Sequence, residues 1–476
     1  MRRSGALVLA VVAACATGSV ATTTDPTSTT VTSTGPASTE SGALDQTTTS
    51  TRVVPPPTFP PAPGFPDGPL DATTEEGLES LLSNLYTREF DASNLVQVVK
   101  GGDIRAAWVT ADLLRFYQTG PVRDELLWAF TQLTGIEYVP SRVDFKWALD
   151  ILIAWDMPAW DGYADAKRQI YTPVDSLWEI FFDENQGVDW RLITWGGVIA
   201  DDRPLGDNGP CNCIPSLDNP ATTDAAGGAW YPDDRVIFGV VVNDEALALP
   251  RHQMEVHEML NITLGGRALG IPYCTLCGSA QAYVTDHVRG TDRVVLRTSG
   301  LLSRSNKVMY DLTTGSMFDT FTGQALTGPL GEAGVVLEQV SVVGSTWGDW
   351  KEAHPETRIL AEDGGIGREY RDDPLGSRDA FGPIFPVGDV DPRLSTMEPV
   401  VGVISPAGTP IAFPVRTTRD ELATGGEIEF EGVVVRLTDG IRVFAPNGTE
   451  LTTHQAFWFA WSQFHAETLV WTSAGS

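Results

Sequence analysis

Near residue 200 the apolar period of this chain changes, and the change separates two kinds of structure. Upstream, Ile104, Ala107, Trp108, Ala111 and Leu114 recur at helical spacing behind Asp103, a residue suited to cap orphan amides. Gly120-Pro121 predicts a stop and a restart, and Val122, Leu126, Ala129, Phe130 and Leu133 repeat the pattern as far as Gly135. Phe145 to Trp155 is apolar nearly all round and reads as a buried helix, with Leu177 to Phe182 as a further helical core segment. Downstream, Val236 to Val242 is a β-branched run closed by the turn dipeptide Asn243-Asp244. Ala268 to Pro272, Arg293 to Thr298 and Val335 to Val343 read as further strands, and Gln253 to Leu260 as a short helix. Helices gathered ahead of strands, rather than alternating with them, predict an α+β chain. A helical domain at 69–200, with HEAT-like pairing of short helices, precedes a β-rich sandwich or barrel.

The residues ahead of both cannot form a core. From Ala16 to Ser50, 19 of 35 residues are Ser or Thr, and Pro dominates from Pro55 to Pro69. Arg2 and Arg3 precede an apolar stretch, Ala6 to Ala14, far short of the ~20 residues that span a bilayer. Residues 1–14 read as a signal peptide. Val12-Ala13-Ala14-Cys15 has the form of a bacterial lipobox, which marks Cys15 for lipidation; plain cleavage between Ala14 and Ala21 is the simpler rival. The expectation is a lipoprotein outside the cytoplasm, held to its membrane through Cys15 and a disordered tether over 15–68. Secretion without an anchor is the second choice.

Charge narrows the partners. Sixty-two acidic against 32 basic side chains give a net charge of −30, which argues against nucleic acid because phosphate contacts need a dense basic face. A protein or a small molecule remains as the ligand. Trp108, Trp128, Trp147, Trp155, Trp160, Trp178, Trp190 and Trp195 crowd the helical part. They suit either a carbohydrate-stacking platform or a core of large aromatics, and their helical spacing favours the core.

Four cysteines fall in the β-rich part, as Cys211-x-Cys213 and Cys274-x-x-Cys277. Three chemistries compete for them. An oxidising compartment favours disulfides, and the small Cys211–Cys213 ring favours cross-links between the two pairs. Four thiolates could hold zinc or copper(I). A reactive thiol would use Cys274, with His257 lowering its pKa and Glu258 alongside. Several other chemistries find no support. Asn261 occupies the place where a zincin needs its second His, Ser279 lies outside a G-x-S-x-G elbow, and no phosphate-binding Gly loop occurs. Asp201-Asp202, Asp233-Asp234 and Asp372-Asp373 read as solvated loop charge.

The chain also repeats itself. Trp350-Lys-Glu-Ala-His-Pro-Glu-Thr357 aligns with Trp461-Ser-Gln-Phe-His-Ala-Glu-Thr468, as W-x-x-x-H-x-E-T. Gly239 to Pro250 aligns with Gly402 to Pro414 given one inserted residue. The order is the same and the second copy is shorter, which predicts two related β units, at 201–360 and 361–476.

Six ordered blocks carry a resemblance. They are Ile214-Pro-Ser-Leu-Asp-Asn-Pro220, Phe238-Gly-Val-Val-Val-Asn243, His257-Glu-Met-Leu-Asn261 and Tyr273-Cys-Thr-Leu-Cys-Gly-Ser279. Ser299-Gly-Leu-Leu302 with Met309-Tyr-Asp311, then Trp347-Gly-Asp-Trp-Lys-Glu-Ala-His-Pro-Glu-Thr357, complete them. In these blocks the chain resembles the secreted bacterial family DUF3179, a domain of unknown function. The resemblance implies a fold family and a place outside the cytoplasm, and no reaction. Thr275 departs from it, since relatives usually have Pro there, and some relatives lack a Cys at the place of Cys277. Two readings stay open: a binding module without catalysis, and a metal- or thiol-dependent activity at Cys274, Cys277, His257 and Glu258.

Overall fold

The structure is a computed structural model that describes residues 53–85, 90–140, 143–182 and 187–473. The signal segment, Cys15 and the Ser/Thr-rich part of the tether lie outside the described residues. Six helices open the fold: Ala72–Asn84, Ala92–Gly101, Ala107–Leu114, Pro121–Thr134, Asp144–Ala154 and Tyr163–Tyr171. Their ends follow local chemistry. The Asp71 and Asp91 carboxylates accept from the first free amides, and Gly102 and Gly135 close their helices in the left-handed region. The run from Asp103 splits, with a 3-10 turn at Ile104–Ala106 ahead of Ala107–Leu114. Leu177 to Phe182 forms as the 3-10 helix Ser176–Phe181.

The indoles are mostly core. Trp108, Trp147, Trp155, Trp178, Trp190 and Trp195 are buried, and Trp128 alone of the eight is exposed. One exposed ring does not make the row that a glycan platform requires. The same core continues past residue 200, because it includes Leu301, Val308, Tyr310 and Met317. Strand Ile193–Trp195 pairs antiparallel with Leu296–Ser303, and Trp178 Nε1 donates to Ser299 O at 2.8 Å. Residues 53–69, expected as the stiff end of the tether, lie along the body. Thr396 N donates to Val54 O, Trp155 Nε1 to Pro60 O, and Arg105 Nη1 to Gly68 O.

The β-rich part comprises five sheets. The strand expected at 268–272 lies within Arg267–Cys274, and the one at 293–298 shifts to Leu296–Ser303. Val335 to Val343 is largely loop, with Val335 and Leu337 buried and Val336 exposed; it pairs at Gln339–Val340, makes a single bridge from Val336 to Gln324, and ends where Val343 opens the strand Val343–Thr346.

Two of the sheets are built alike. In the first, Val236–Val242 pairs antiparallel with Val343–Thr346 on one side and Glu245–Pro250 on the other, and Arg358–Leu360 adds parallel to Glu245–Pro250. In the second, Pro399–Ile404 pairs antiparallel with Thr453–Phe457 and Pro410–Pro414, and Leu469–Val470 adds parallel to Pro410–Pro414. Each proline-ended strand runs straight into a helix, Arg251–His257 or Val415–Leu422. A second helix, Trp347–Ala353 or Trp458–Phe464, joins the outer strands.

The repeated letters have one physical meaning in both copies. Trp350 Nε1 donates to Thr357 Oγ1 at 2.9 Å, and Trp461 Nε1 donates to Thr468 Oγ1 at 2.9 Å. His354 and His465 each lie 4.2 Å from their Trp at an interplanar angle of 41°. A Cβ on Gly239 would fall 2.1 Å from the Trp350 ring, and one on Gly402 would fall 2.0 Å from Trp461. Glycine is therefore required where the strand passes beneath the indole. The copies differ in what lies between their halves. Residues 423–452 of the second form a small three-stranded sheet, whereas residues 258–342 of the first bring in Cys274, Cys277 and the strands that join the helical core.

Candidate functional site

Helix Arg251–His257 carries two of the residues singled out above and sends them in different directions. It ends where Glu258 adopts φ 53, a left-handed turn that leads at once into strand Met259–Leu264. His257 is buried, and its Nδ1 lies 2.7 Å from Pro215 O. A carbonyl can only accept, so Nδ1 carries the proton and Nε2 accepts from the Tyr370 hydroxyl at 2.7 Å. Burial draws the His257 pKa down to about 4, against a small opposing effect of the Pro215 carbonyl, so the ring is neutral near pH 7.

Glu258 turns the other way. Its carboxylate meets Lys307 Nζ at 2.5 Å and accepts from Thr275 Oγ1 at 2.6 Å. Lys307 also donates to Glu258 O at 2.9 Å. Burial pushes the Lys307 pKa down while Glu258 supports its charge. Arg378 donates to both the hydroxyl and the carbonyl of Thr275. Thr275 therefore ties the cysteine turn to an acid and to a base.

That turn is closed by a Cys274–Cys277 disulfide. Both residues are 1% exposed and pack with Phe457, Trp458 and Val400 of the second copy. Phe457 N donates to Cys277 O at 2.8 Å, and Cys277 Sγ lies 3.2 Å from Ser279 Oγ. A Cβ on Gly278 would fall 2.8 Å from the Phe457 ring, so the turn is seated against the second copy through bare backbone. The expected Cys274–His257 couple is not formed. Both ring nitrogens of His257 are committed to Pro215 and Tyr370, so it is not the base for Cys274. Glu258 reaches the cysteine turn through Thr275 rather than through a sulfur.

The second disulfide joins Cys211 to Cys213. This corrects the expected cross-links between the pairs, because each pair closes on itself. It also takes apart the expected four-thiolate site for zinc or copper at Cys211, Cys213, Cys274 and Cys277. Among the described residues, the group of three ligating side chains brought together joins Cys211 and Cys213 to Asp201, with ligand atoms within 4.8 Å of one another. Asp201 fits poorly as a free ligand. Its Oδ1 accepts from Arg203 Nε at 2.7 Å, and its Oδ2 accepts from Arg203 Nη2 at 2.7 Å and Ser216 N at 2.8 Å. Burial works against the Asp201 charge, yet Arg203 and the Ser216 amide hold its pKa below the usual range. Asp201 is thus a buried anchor rather than the solvated loop charge its neighbour Asp202 provides.

The two disulfides differ in access. Cys211 and Cys213 are half-buried and flank the exposed Asn212, whereas Cys274 and Cys277 are sealed. They share a low entropic value. Loops of so few residues constrain the unfolded chain by about 2 kcal/mol each, where a cross-link between the pairs would give about 4 kcal/mol. Neither placement is the one that would stabilise the fold most. His257 belongs with the open pair, since its ring holds the carbonyl of Pro215, two residues past Cys213. Tyr370, Lys307 and Arg378 were not singled out from the sequence, and no local pattern marks them. Asp201 and Arg203 did carry a signal. Asp103-x-Arg105, Asp189-x-Arg191, Asp201-x-Arg203 and Asp391-x-Arg393 each form the same short ion pair.

No curated protein and no solved structure matches the chain. A family model does: that of the protein of unknown function DUF3179 matches residues 211–445, from the first cysteine through most of the second copy. The resemblance carried by the six sequence blocks is thus shown over residues 211–445, where the chain matches the DUF3179 family.

Proposed function

We propose that this protein is a lipid-anchored thiol–disulfide module outside the cytoplasm, working through Cys211 and Cys213. The observation that carries the reading is the half-buried disulfide across Asn212, beside a sealed one of the same kind. A pair two residues apart can open and close without moving the core, and exposed disulfides are the exchangeable ones. The Asp201 carboxylate lies within 4.8 Å of both sulfurs, and Arg203 neutralises it, so the charge nearest the pair is compensated. His257 acts as a positioning residue: it fixes the backbone after Cys213 through Pro215 and takes no proton from sulfur. The anchor at Cys15 and the Ser/Thr-rich tether support a site held near a membrane surface in an oxidising compartment.

The exchange balances as a two-electron step. A partner thiolate attacks one sulfur of the Cys211–Cys213 bond, which breaks as a mixed disulfide forms. The partner's second thiolate then displaces that sulfur, and both leaving thiolates take protons from solvent. The partner gains a disulfide and the module keeps two thiols; the reverse run oxidises the module with a partner disulfide.

Glutathione disulfide tests this on the selectively reduced protein. The expected result is two glutathione thiols released per chain and the Cys211–Cys213 bond restored. Cys211→Ser and Cys213→Ser should each stop at one glutathione bound to the remaining cysteine. A reduced pair that stays inert to glutathione disulfide contradicts the proposal.

A further inference from the structure

Among the described residues, three arginines are about as deeply placed as Arg115, and each has its acid. Arg105, Arg203 and Arg297 are 3%, 7% and 0% exposed. Each gives two nitrogens to one carboxylate, of Asp103, Asp201 and Asp218 respectively. Arg115 is 8% exposed and has no carboxylate. Its Nε donates to Trp195 O at 2.8 Å, and its two terminal nitrogens meet no acceptor among the described residues. In a chain with 62 acidic side chains this is not a shortage of anions.

The surroundings suit a visitor. The Phe145 and Trp195 rings lie 4.7 Å from the guanidinium carbon and Phe385 lies 5.7 Å away, so apolar walls lower the local dielectric. Neither terminal nitrogen is sealed from solvent. Backbone without a side chain passes beside one of them: a Cβ on Gly197, at φ +95, would fall 3.1 Å from Arg115 Nη2. Burial draws the Arg115 pKa down to about 10, which still leaves it charged near pH 7. The two nearer rings face the cation and offset part of the cost of burying it, but no anion pairs with it, and a bidentate oxyanion would supply that pairing.

We propose that Arg115 is the floor of a site for a small oxyanion, a carboxylate or a phosphate, held bidentate by its terminal nitrogens. The site lies where helix Ala107–Leu114, strand Ile193–Trp195 and the segment bearing Phe385 meet, and it is independent of the cysteines.

Thermal unfolding of the full chain in inorganic phosphate, acetate and chloride at matched ionic strength tests the site. Phosphate or acetate should raise Tm in a saturable way while chloride does not, and the anion that acts identifies the class. Arg115→Met, which keeps the apolar stem, should abolish that rise and unfold in chloride no lower than the parent protein. Arg115→Lys, which keeps the charge without the fork, should weaken saturation at least tenfold. If neither oxyanion shifts the parent protein, or if Arg115→Lys saturates at the same concentration, the proposal fails. If Arg115→Met unfolds lower in chloride, Arg115 is packing rather than a site.

Discussion

The two copies of the β unit are equals as scaffolds and unequal as chemistry. Gly239 under Trp350 and Gly402 under Trp461 meet the same constraint, and each indole donates to its own threonine at the same distance. Yet both cysteine pairs and the helix bearing His257 and Glu258 accompany the first copy. The second copy contributes a wall: Phe457 and Trp458 cover the Cys274–Cys277 turn. A duplicated frame can thus carry a site in one copy while the other seals and supports it. Where the copies meet they differ again. His354 lies 2.8 Å from the Asp439 carboxylate in the second copy's small sheet, whereas His465 faces the Phe321 ring of the first copy's insertion.

The strongest way to break the comparison is to fill the groove under each indole. Gly239→Ala and Gly402→Ala both drive a methyl into a buried ring, and each should cost about 3 kcal/mol or prevent folding. Urea unfolding of the two variants reads this directly. If one copy accepts the methyl and the other does not, the shared geometry is coincidental.

Acid should then distinguish the copies by a smaller amount. Burial, with His465 nearby, draws the His454 pKa down to about 3, and burial also lowers that of His465. A histidine whose folded pKa lies below its unfolded value near 6.5 takes up protons on unfolding. Its contribution is whole above pH 6.5 and is lost as pH falls toward the folded pKa. His354 instead meets the Asp439 carboxylate, which Arg442 and His354 hold well below the usual range although burial opposes them. Amide exchange between pH 6.5 and 4 should therefore rise earlier in 453–465 than in 343–354. An equal rise would show that the two Trp–His pairs share one electrostatic setting.

What the sequence made legible is what local spacing controls. W-x-x-x-H-x-E-T could be read because Trp350, His354 and Thr357 meet within one helix and the turn after it. The helix at Pro121–Thr134 could be read because its proline and its apolar face lie within it and Gly135 closes it directly. The partner of His257 could not, because Tyr370 arrives from a loop 113 residues away and Pro215 from 42 residues before. The cysteine pairing misled for a related reason. Spacing alone penalises the Cys211–Cys213 ring, while the bridge between Ile199 and Cys213 that presents the pair is a long-range contact. Asp201 was hidden by its neighbour: beside Asp202 it looks like surface charge, and only Arg203 two residues on reveals an ion pair.

The central claim is that one disulfide works and the other is sealed by the second copy. Graded reduction of the folded protein, with alkylation and mass mapping of every cysteine, tests it most directly. The account predicts that Cys211 and Cys213 are labelled first and together, with Cys274 and Cys277 unlabelled until the fold opens. Labelling of Cys274 and Cys277 first, or of all four in one step with unfolding, would contradict it.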